Sequence, residues 1–372
     1  MRAEAPPRIW EEPVRGGYPD IRIFLGLSGE GQIRSFLQSL ASPPPIAHLT
    51  GMRPTDVGPG SSTFVMPASG WLLSTPGWIQ LGTLAILADG PLGCAVQTAL
   101  PPATPYTTAE MSLTAFRPVG TDSGTLVAKG RLIHSGRSLG LSEVRIEDGH
   151  GDLVAHGTSR CFIFPPIAPP SPPPEDLPRI EMPRFDTPDP YLRPSPGSIV
   201  PQEVWDRHSG LEVMRAHLDG DLPPPPIHFL TGLRPTAAEE GAATFVLPAT
   251  EWLCSPLNRL EGGAIAMVAE TALITAVMTT LERRTSFAPF DLKVNFLRPV
   301  KPDGRDLTAR GTVLHRGKTL AVASSEVLNA EGKPVAIASG TSMILPGRPW
   351  HRPAVAEEEE PPDAIEPAAD VD

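Results

Sequence analysis

The 372-residue sequence has only three cysteines, Cys94, Cys161 and Cys254, which lie far apart and form no CxxC pair. This spacing argues against a disulfide framework or a cysteine zinc site, and it is typical of a protein in a reducing compartment. Basic residues are also scarce, with 31 Lys and Arg against 42 Asp and Glu, for a formal charge of −11. The sequence therefore has no overall basic field that would hold a nucleic acid.

Long hydrophobic runs are missing as well. No apolar stretch reaches the roughly 18 residues that a membrane span requires. The first 20 residues carry acids and prolines in place of the apolar core of a secretory signal. We therefore expect a soluble, cytoplasmic protein with no membrane partner.

Composition and length instead predict a globular chain of two domains, since 40% of the residues are hydrophobic. Proline is abundant, with 47 residues in all and 13 in the 32 positions from Pro165 to Pro196. Proline fixes φ and lacks an N–H donor, so residues 166–198 are predicted to be a stiff linker that forms neither helix nor central strand. Residues 1–25 are predicted to be an N-terminal extension. Residues 349–372, which include eight acids, are predicted to be a disordered tail.

The chain repeats itself at a shift of 181 residues. The segment LTGMRPT at 49–55 falls on LTGLRPT at 230–236, and Trp71-Leu72 falls on Trp252-Leu253. The same shift holds without a gap as far as His134 and His315. Two copies are too few for a solenoid, so this pattern predicts a tandem duplication of one compact domain.

Each copy changes its hydrophobic period in the same order. A short strand precedes a long apolar helix, at 82–99 in the first copy and 263–281 in the second, and several strands of alternating polarity follow. The second helix is apolar on nearly every face, which indicates that it is buried against a sheet. The predicted fold class is α+β, with an antiparallel sheet around a central helix in each domain.

Each predicted helix carries one acid near its middle, Asp89 in the first copy and Glu270 in the second, among apolar neighbours. Burial of a carboxyl on such a face raises its pKa towards the range of a general base. A structural alternative is a carboxylate hydrogen-bonded to backbone groups. The repetition at matching positions favours function.

The helix starts are the second candidate element. Glu261-Gly262-Gly263 opens the second helix, and Gly82 stands at the corresponding place in the first. Glycines there allow a ligand to approach the unpaired N–H groups of the first turn, as in an oxyanion hole. Tight packing against a sheet explains such glycines equally well.

These segments resemble a known family. LEGGAIAMVAETA followed by PFDLKVNFLRPV is similar to the hot-dog-fold acyl-CoA thioesterases of the phenylacetate-pathway (PaaI-like) type, and LGTLAILADG followed by MSLTAFRPV resembles them more loosely. The resemblance implies two tandem hot-dog domains, at 26–165 and 199–348, that pair as a pseudo-dimer within one chain. It also allows a homodimer of the whole chain.

In that family one domain supplies a helix-start amide and an Asn or Gln side chain, and the other supplies the acid. The resemblance therefore implies that the Gly263 amide and Asn258 face Asp89, with Thr107 or Thr108 as a nearby hydroxyl. A second site would pair the Gly82 amide and Gln80 with Glu270.

The sequence departs from the family pattern at several points. Leu81 replaces a glycine, Pro91 follows Asp89 closely and predicts a kink, and Glu261 stands where the family usually has a histidine. We expect at least one working site, and the pattern leaves open which one.

The resemblance implies hydrolysis of an acyl-CoA, with no metal and no separate cofactor, by an acid that activates water or attacks directly. The cation candidates for the coenzyme A phosphates are Arg283, Arg284, Arg137 and Lys318. A non-catalytic acyl-CoA-binding protein is the main alternative. A hydratase would need an Asp and a His close together before the helix, and no such pair occurs.

Overall fold

The computed structural model describes residues 6–167, 179–181 and 183–350. Its strands form one continuous antiparallel sheet. The first six are β1 (Arg53–Gly58), β2 (Ser61–Pro67), β3 (Tyr106–Ala115), β4 (Thr125–Ser135), β5 (Leu139–Glu147) and β6 (Leu153–Ile163). The other six are β7 (Arg234–Glu239), β8 (Ala242–Pro248), β9 (Thr285–Phe296), β10 (Asp306–Arg316), β11 (Leu320–Leu328) and β12 (Pro334–Pro346).

The helices also occur in two matching sets, each with three short helices followed by a long one. The first set is α1 (Ile21–Gly26), α2 (Gly29–Leu37), α3 (Pro45–Thr50) and α4 (Leu81–Gln97). The second set is α5 (Gln202–Arg207), α6 (Gly210–Asp219), α7 (Pro226–Thr231) and α8 (Gly262–Met278). Each helix of the second set begins 181 residues after its counterpart, so the structure follows the sequence repeat.

The two half-sheets meet at β3 and β9. The strand order is β1-β2-β4-β5-β6-β3-β9-β12-β11-β10-β8-β7, which reads the same from either end under the repeat. Met111 pairs with Val294 and Leu113 with Leu292 across the junction. These four side chains are buried, so the core continues from one domain into the other. The predicted tandem hot-dog architecture is confirmed.

Each long helix lies directly on the sheet of its own domain. Every residue of α8 from Gly263 to Met278 is buried, as the apolar sequence predicts. A side chain at Gly311 of β10 would put its Cβ 2.1 Å from the carbonyl oxygen of Ala272, and one at Gly130 of β4 would meet the oxygen of Pro91 at 2.2 Å. The helices can approach this closely only because both strand positions are glycine.

Segments ahead of each domain cross onto the other half of the molecule. The Trp71 indole donates to the Arg193 carbonyl at 2.7 Å, and the Trp252 indole donates to the Glu12 carbonyl at 3.0 Å. Glu12 and Arg193 are themselves 181 residues apart, and each follows directly on a 3₁₀ turn, at Ile9–Glu11 and Pro190–Leu192. The repeat in the structure thus begins earlier than residues 26 and 199, and it includes part of the predicted extension and linker.

Other predictions concern residues that the structure describes only partly. Within the predicted linker, residues 168–178 and 182 lie outside the described residues, and so do residues 351–372 of the predicted tail. The domain boundaries stay predictions. In the described ranges no helix is long and apolar enough to cross a bilayer. Helix α4 continues through Pro91 without a break.

The close approach of helix and strand predicts the effect of enlarging Gly311. Gly311→Ala should lower the free energy of unfolding by about 1–3 kcal/mol, because the new Cβ would overlap backbone atoms that cannot rotate away. Urea unfolding would measure the change. The matched control is Thr312→Val at the exposed neighbouring position, expected to stay within about 0.5 kcal/mol of wild type. Equal effects of the two substitutions would contradict the packing argument.

Candidate active site

Helices α4 and α8 pack antiparallel in the centre of the molecule, and each places its acid on the first turn of the other. The Gly263 amide donates to Asp89 Oδ2 at 3.3 Å, and the Gly82 amide donates to Glu270 Oε2 at 2.5 Å. The first N–H groups of a helix have no partner within the helix, and its N-terminal end is positive. Both carboxyl groups therefore cap the helix of the other domain.

The glycines at the helix starts are required by this packing. A Cβ at Gly263 would lie 2.4 Å from the Cα of Ile86, and one at Gly82 would lie 2.9 Å from the carbonyl oxygen of Ala266. Both predicted pairs, Gly263 with Asp89 and Gly82 with Glu270, are brought together. We call them the Asp89 site and the Glu270 site.

In the Asp89 site the carboxyl accepts hydrogen bonds from a hydroxyl as well as from backbone amides. Thr108 of β3 donates to Asp89 Oδ1 at 3.4 Å, whereas its neighbour Thr107 is exposed. Burial raises the pKa of Asp89, and hydrogen bonds from the Gly263 and Gly262 amides and from Thr108 oppose that shift. As a residue, Asp89 keeps partial exposure. Its hydrogen bonds from the Gly263 amide and the Thr108 hydroxyl are long, at 3.3 and 3.4 Å.

Sequence reasoning did not assign a role to Glu261, which the structure buries in the Asp89 site. The side chain is 6% exposed, and its Oε2 has no hydrogen-bond partner among the described residues. Burial raises the pKa of Glu261 well above its usual value, and the charge of Asp89 adds to the shift. The feature of the sequence that could have pointed to Glu261 is its place as an acid directly ahead of the Gly-Gly helix start.

The structure does not bring Asn258 to Asp89. Asn258 is exposed on a turn with φ of 53°, and the matching residue of the first copy, Gly77, has φ of 87°. Asparagine is one of the few residues that adopt this left-handed conformation readily. The backbone requirement of the turn therefore accounts for Asn258, and the expected amide side chain is missing from the neighbours of Asp89.

The Glu270 site is more enclosed. Glu270 is 1% exposed, and its Oε1 has no partner among the described residues. Burial raises the pKa of Glu270 to about 7, against the opposing effect of the Gly82 and Leu81 amides. Pro289 stands at the position that corresponds to Thr108, so this site lacks the hydroxyl. Gln80 lies beside the acid, with its Oε1 at 3.1 Å from the Thr271 hydroxyl.

A small cleft of about 20 Å³ lies next to the Glu270 site. It is bordered by one stripe of α8, by two aromatic rings and by the Gln80–Thr271 pair at one end. Its lining includes Gln80, Thr271, Thr275, Met278, Phe245 and Phe287. Its lining is mostly apolar with a few polar groups, and its volume is about that needed by one water molecule.

The cation candidates are all exposed, and they lie at the far ends of the long helices. Arg283 and Arg284 follow the C-terminal end of α8, about 20 Å along the helix from Gly263. Arg137 lies in the turn between β4 and β5, and Lys318 lies in the turn between β10 and β11. None of them is next to either acid, so a role for them would concern a distant part of a long ligand.

The arrangement suits reactions that need a base beside hydrogen-bond donors. A carboxylate of raised pKa can take a proton from water near neutral pH, and helix-start amides can stabilise a developing oxyanion. The described part of the chain contains no group of three or more His, Cys, Asp or Glu residues that could hold a metal ion.

The raised pKa of Glu270 predicts a pH-dependent stability. With a folded pKa of about 7 against an ordinary 4.5, the protonated form is favoured by folding. The stability that this group contributes is complete below pH 4.5 and is lost as the pH rises through 7. Relative to wild type, Glu270→Gln should therefore gain about 3 kcal/mol in free energy of unfolding between pH 4.5 and pH 8.

Urea unfolding at a series of pH values would test this. The control is Glu326→Gln, which alters an exposed carboxyl of β11 and should show the same pH dependence as wild type. If the difference in free energy of unfolding between Glu270→Gln and wild type does not change with pH, the raised pKa of Glu270 is contradicted.

Known proteins resemble this chain in its fold and over one segment of its second domain. Residues 258–336 match the family model of the thioesterase superfamily. Among solved structures, a tesB protein of Mycobacterium avium subspecies paratuberculosis is 14% identical, with a TM-score of 0.50, and the match covers 81% of this chain and 98% of that one. An acyl-CoA thioesterase II, TesB2, of Mycobacterium marinum is 14% identical with a TM-score of 0.46, covering 80% and 96%.

The PaaI protein of the phenylacetic acid degradation operon of E. coli is 27% identical over 31% of this chain and 81% of that one, with a TM-score of 0.29. No curated protein matches the chain. The chain therefore has the double hot-dog fold, and its residues 258–336 match the model of the thioesterase superfamily.

Proposed function

We propose that this protein is an acyl-CoA thioesterase and that it hydrolyses its substrate at the Asp89 site. The observation that carries the proposal is the position of Asp89. It lies between the Thr108 hydroxyl of its own domain and the Gly263 amide of the other, and it keeps partial exposure. The superfamily match supports cleavage of a thioester.

The proposed reaction follows from these groups. Asp89 takes a proton from water, and the water oxygen attacks the thioester carbonyl. The amides at the start of α8 then donate to the carbonyl oxygen in place of Asp89, and they stabilise the negative charge that develops on this oxygen. The carbon–sulfur bond then breaks, and the acid and coenzyme A leave. Direct attack by Asp89 would use the same geometry and pass through an anhydride.

The Glu270 site is a weaker candidate for the chemistry. Its acid is enclosed, its helix-start amide is held by a 2.5 Å hydrogen bond, and it has no hydroxyl neighbour in the place of Thr108. The adjacent cleft is lined mostly by apolar side chains. This combination favours a second candidate function for that half of the molecule, the binding of an acyl-CoA without hydrolysis.

Asp89→Asn should lower kcat/KM for acyl-CoA hydrolysis by about 100-fold or more, because the amide cannot accept the proton from water. Release of free thiol from a panel of acyl-CoAs would measure it. Glu270→Gln should lose less than about tenfold, and the exposed-site control Glu326→Gln should match wild type. If only Glu270→Gln abolishes turnover, the reaction takes place at the Glu270 site. Saturable binding without thiol release by wild type would favour the binding protein.

Thr108→Val should lower kcat/KM about tenfold or more, since it removes a hydrogen bond to a charged group. The hydroxyl lowers the pKa of Asp89, so its loss should also move the acidic limb of the pH–rate profile to higher pH. Thr107→Val, at the exposed adjacent position, should change neither quantity. A rate loss with an unmoved acidic limb would show that Thr108 does not act on Asp89.

A further inference from the structure

We propose that Glu261 is a second catalytic residue of the Asp89 site, the acid that donates a proton to the departing sulfur of the substrate. The inference rests on the proposed hydrolysis at Asp89. It assigns the proton transfer that completes the reaction to a residue that received no role from the sequence pattern.

The position of Glu261 frees its side chain for this role. Glu261 is the residue ahead of the first turn of α8, where a polar side chain usually caps the helix, but it makes no such bond. Asp89 of the other domain accepts from the Gly263 amide instead. The Glu261 carboxyl is thus confined beside Asp89 with its Oε2 buried and without a partner among the described residues. A buried polar atom without a partner is costly unless a ligand supplies one.

The surroundings hold Glu261 in its protonated form. The ionisable groups that face it are Asp89 and Cys94 from α4, and Cys254 from the segment that precedes α8. Burial raises the pKa of both thiols, so they remain neutral. None of these groups is a cation that would stabilise a second negative charge. The buried Glu261 carboxyl and the neighbouring, partly exposed Asp89 carboxyl thus share one proton, which gives one base and one acid.

The second copy of the domain provides an internal comparison. The residue that corresponds to Glu261 is Gln80, which has nearly the same shape and lies at the start of α4 beside Glu270. Its amide oxygen is already bonded to the Thr271 hydroxyl. Glutamine has no proton to give at this point, so the Asp89 site alone pairs a base with an acid.

Asp89 removes one proton from water as the hydroxide oxygen bonds to the carbonyl carbon. The tetrahedral intermediate expels sulfur, the electron pair of the carbon–sulfur bond goes to sulfur, and the Glu261 carboxyl transfers its proton there. The products are the free acid and the thiol. The proton on Asp89 returns to Glu261 before the next turnover.

The test compares two esters of the same acyl group with full-length protein, the coenzyme A thioester and a thiophenyl ester, whose aryl thiolate leaves readily without a proton. Glu261→Gln should lower kcat for the coenzyme A ester about 100-fold and kcat for the thiophenyl ester by less than about threefold. Glu251→Gln changes an exposed acid in the same region and should behave as wild type with both esters.

A second measurement needs no variant. In wild type, kcat for the coenzyme A ester should fall at high pH as Glu261 loses its proton, and kcat for the thiophenyl ester should not. Equal losses with both esters in Glu261→Gln, or matching alkaline limbs in wild type, would overturn the role of Glu261 and leave the hydrolase proposal standing. Failure of wild type to release thiol from either ester would overturn both proposals.

Discussion

The structure depends on a reciprocal contact in which each of two buried helices has its N-terminus capped by a carboxyl from the middle of the other. A helix start has N–H groups without partners, and a buried carboxyl needs hydrogen-bond donors. In an apolar core, a helix start without acceptors or a carboxyl without donors would each be unfavourable. Because α4 and α8 run antiparallel, one docking geometry meets both requirements twice, at Gly82 with Glu270 and at Gly263 with Asp89.

The same contact makes the core chemically active. Burial raises the pKa of Asp89 and of Glu270 further than the capping amides lower them. The acids that tie the two domains together therefore hold their protons to higher pH than ordinary carboxyl groups do. When such an acid is ionised, it lowers the free energy of unfolding of the protein. A loss of stability at groups placed for function is common.

Duplication within one chain allows the two contacts to differ. In a dimer of identical subunits, a change at one site is repeated at the other. Here Thr108 is matched by Pro289 and Glu261 by Gln80, while the capping geometry is kept at both ends. One contact could thus acquire a hydroxyl donor and a second carboxyl, and the other could remain an enclosed cap next to an apolar cleft.

Much of this was predictable from the sequence, because the relevant signals are local or repeated. The 181-residue repeat, the alternating strands and the apolar helix identify the architecture, and the helix-start glycines with Asp89 and Glu270 identify the two contacts. Asn258 is exposed on a left-handed turn that requires a particular backbone conformation, which a motif does not distinguish from a side chain aimed at a site. The crossing of the segments at Glu12 and Arg193 was missed because their sequences differ although their conformations match.

The sequence by itself determined the duplicated domain, its α+β class and the presence of one acid in each buried helix, since hydrophobic period and repetition are properties of the chain alone. Only the tertiary structure decided which groups surround each acid. Exposure of Asp89, enclosure of Glu270 and the unpartnered carboxyl of Glu261 arise from elements far apart in the chain that meet across the domain junction. Burial and charge at such a junction depend on all of these elements together, and no single segment encodes them.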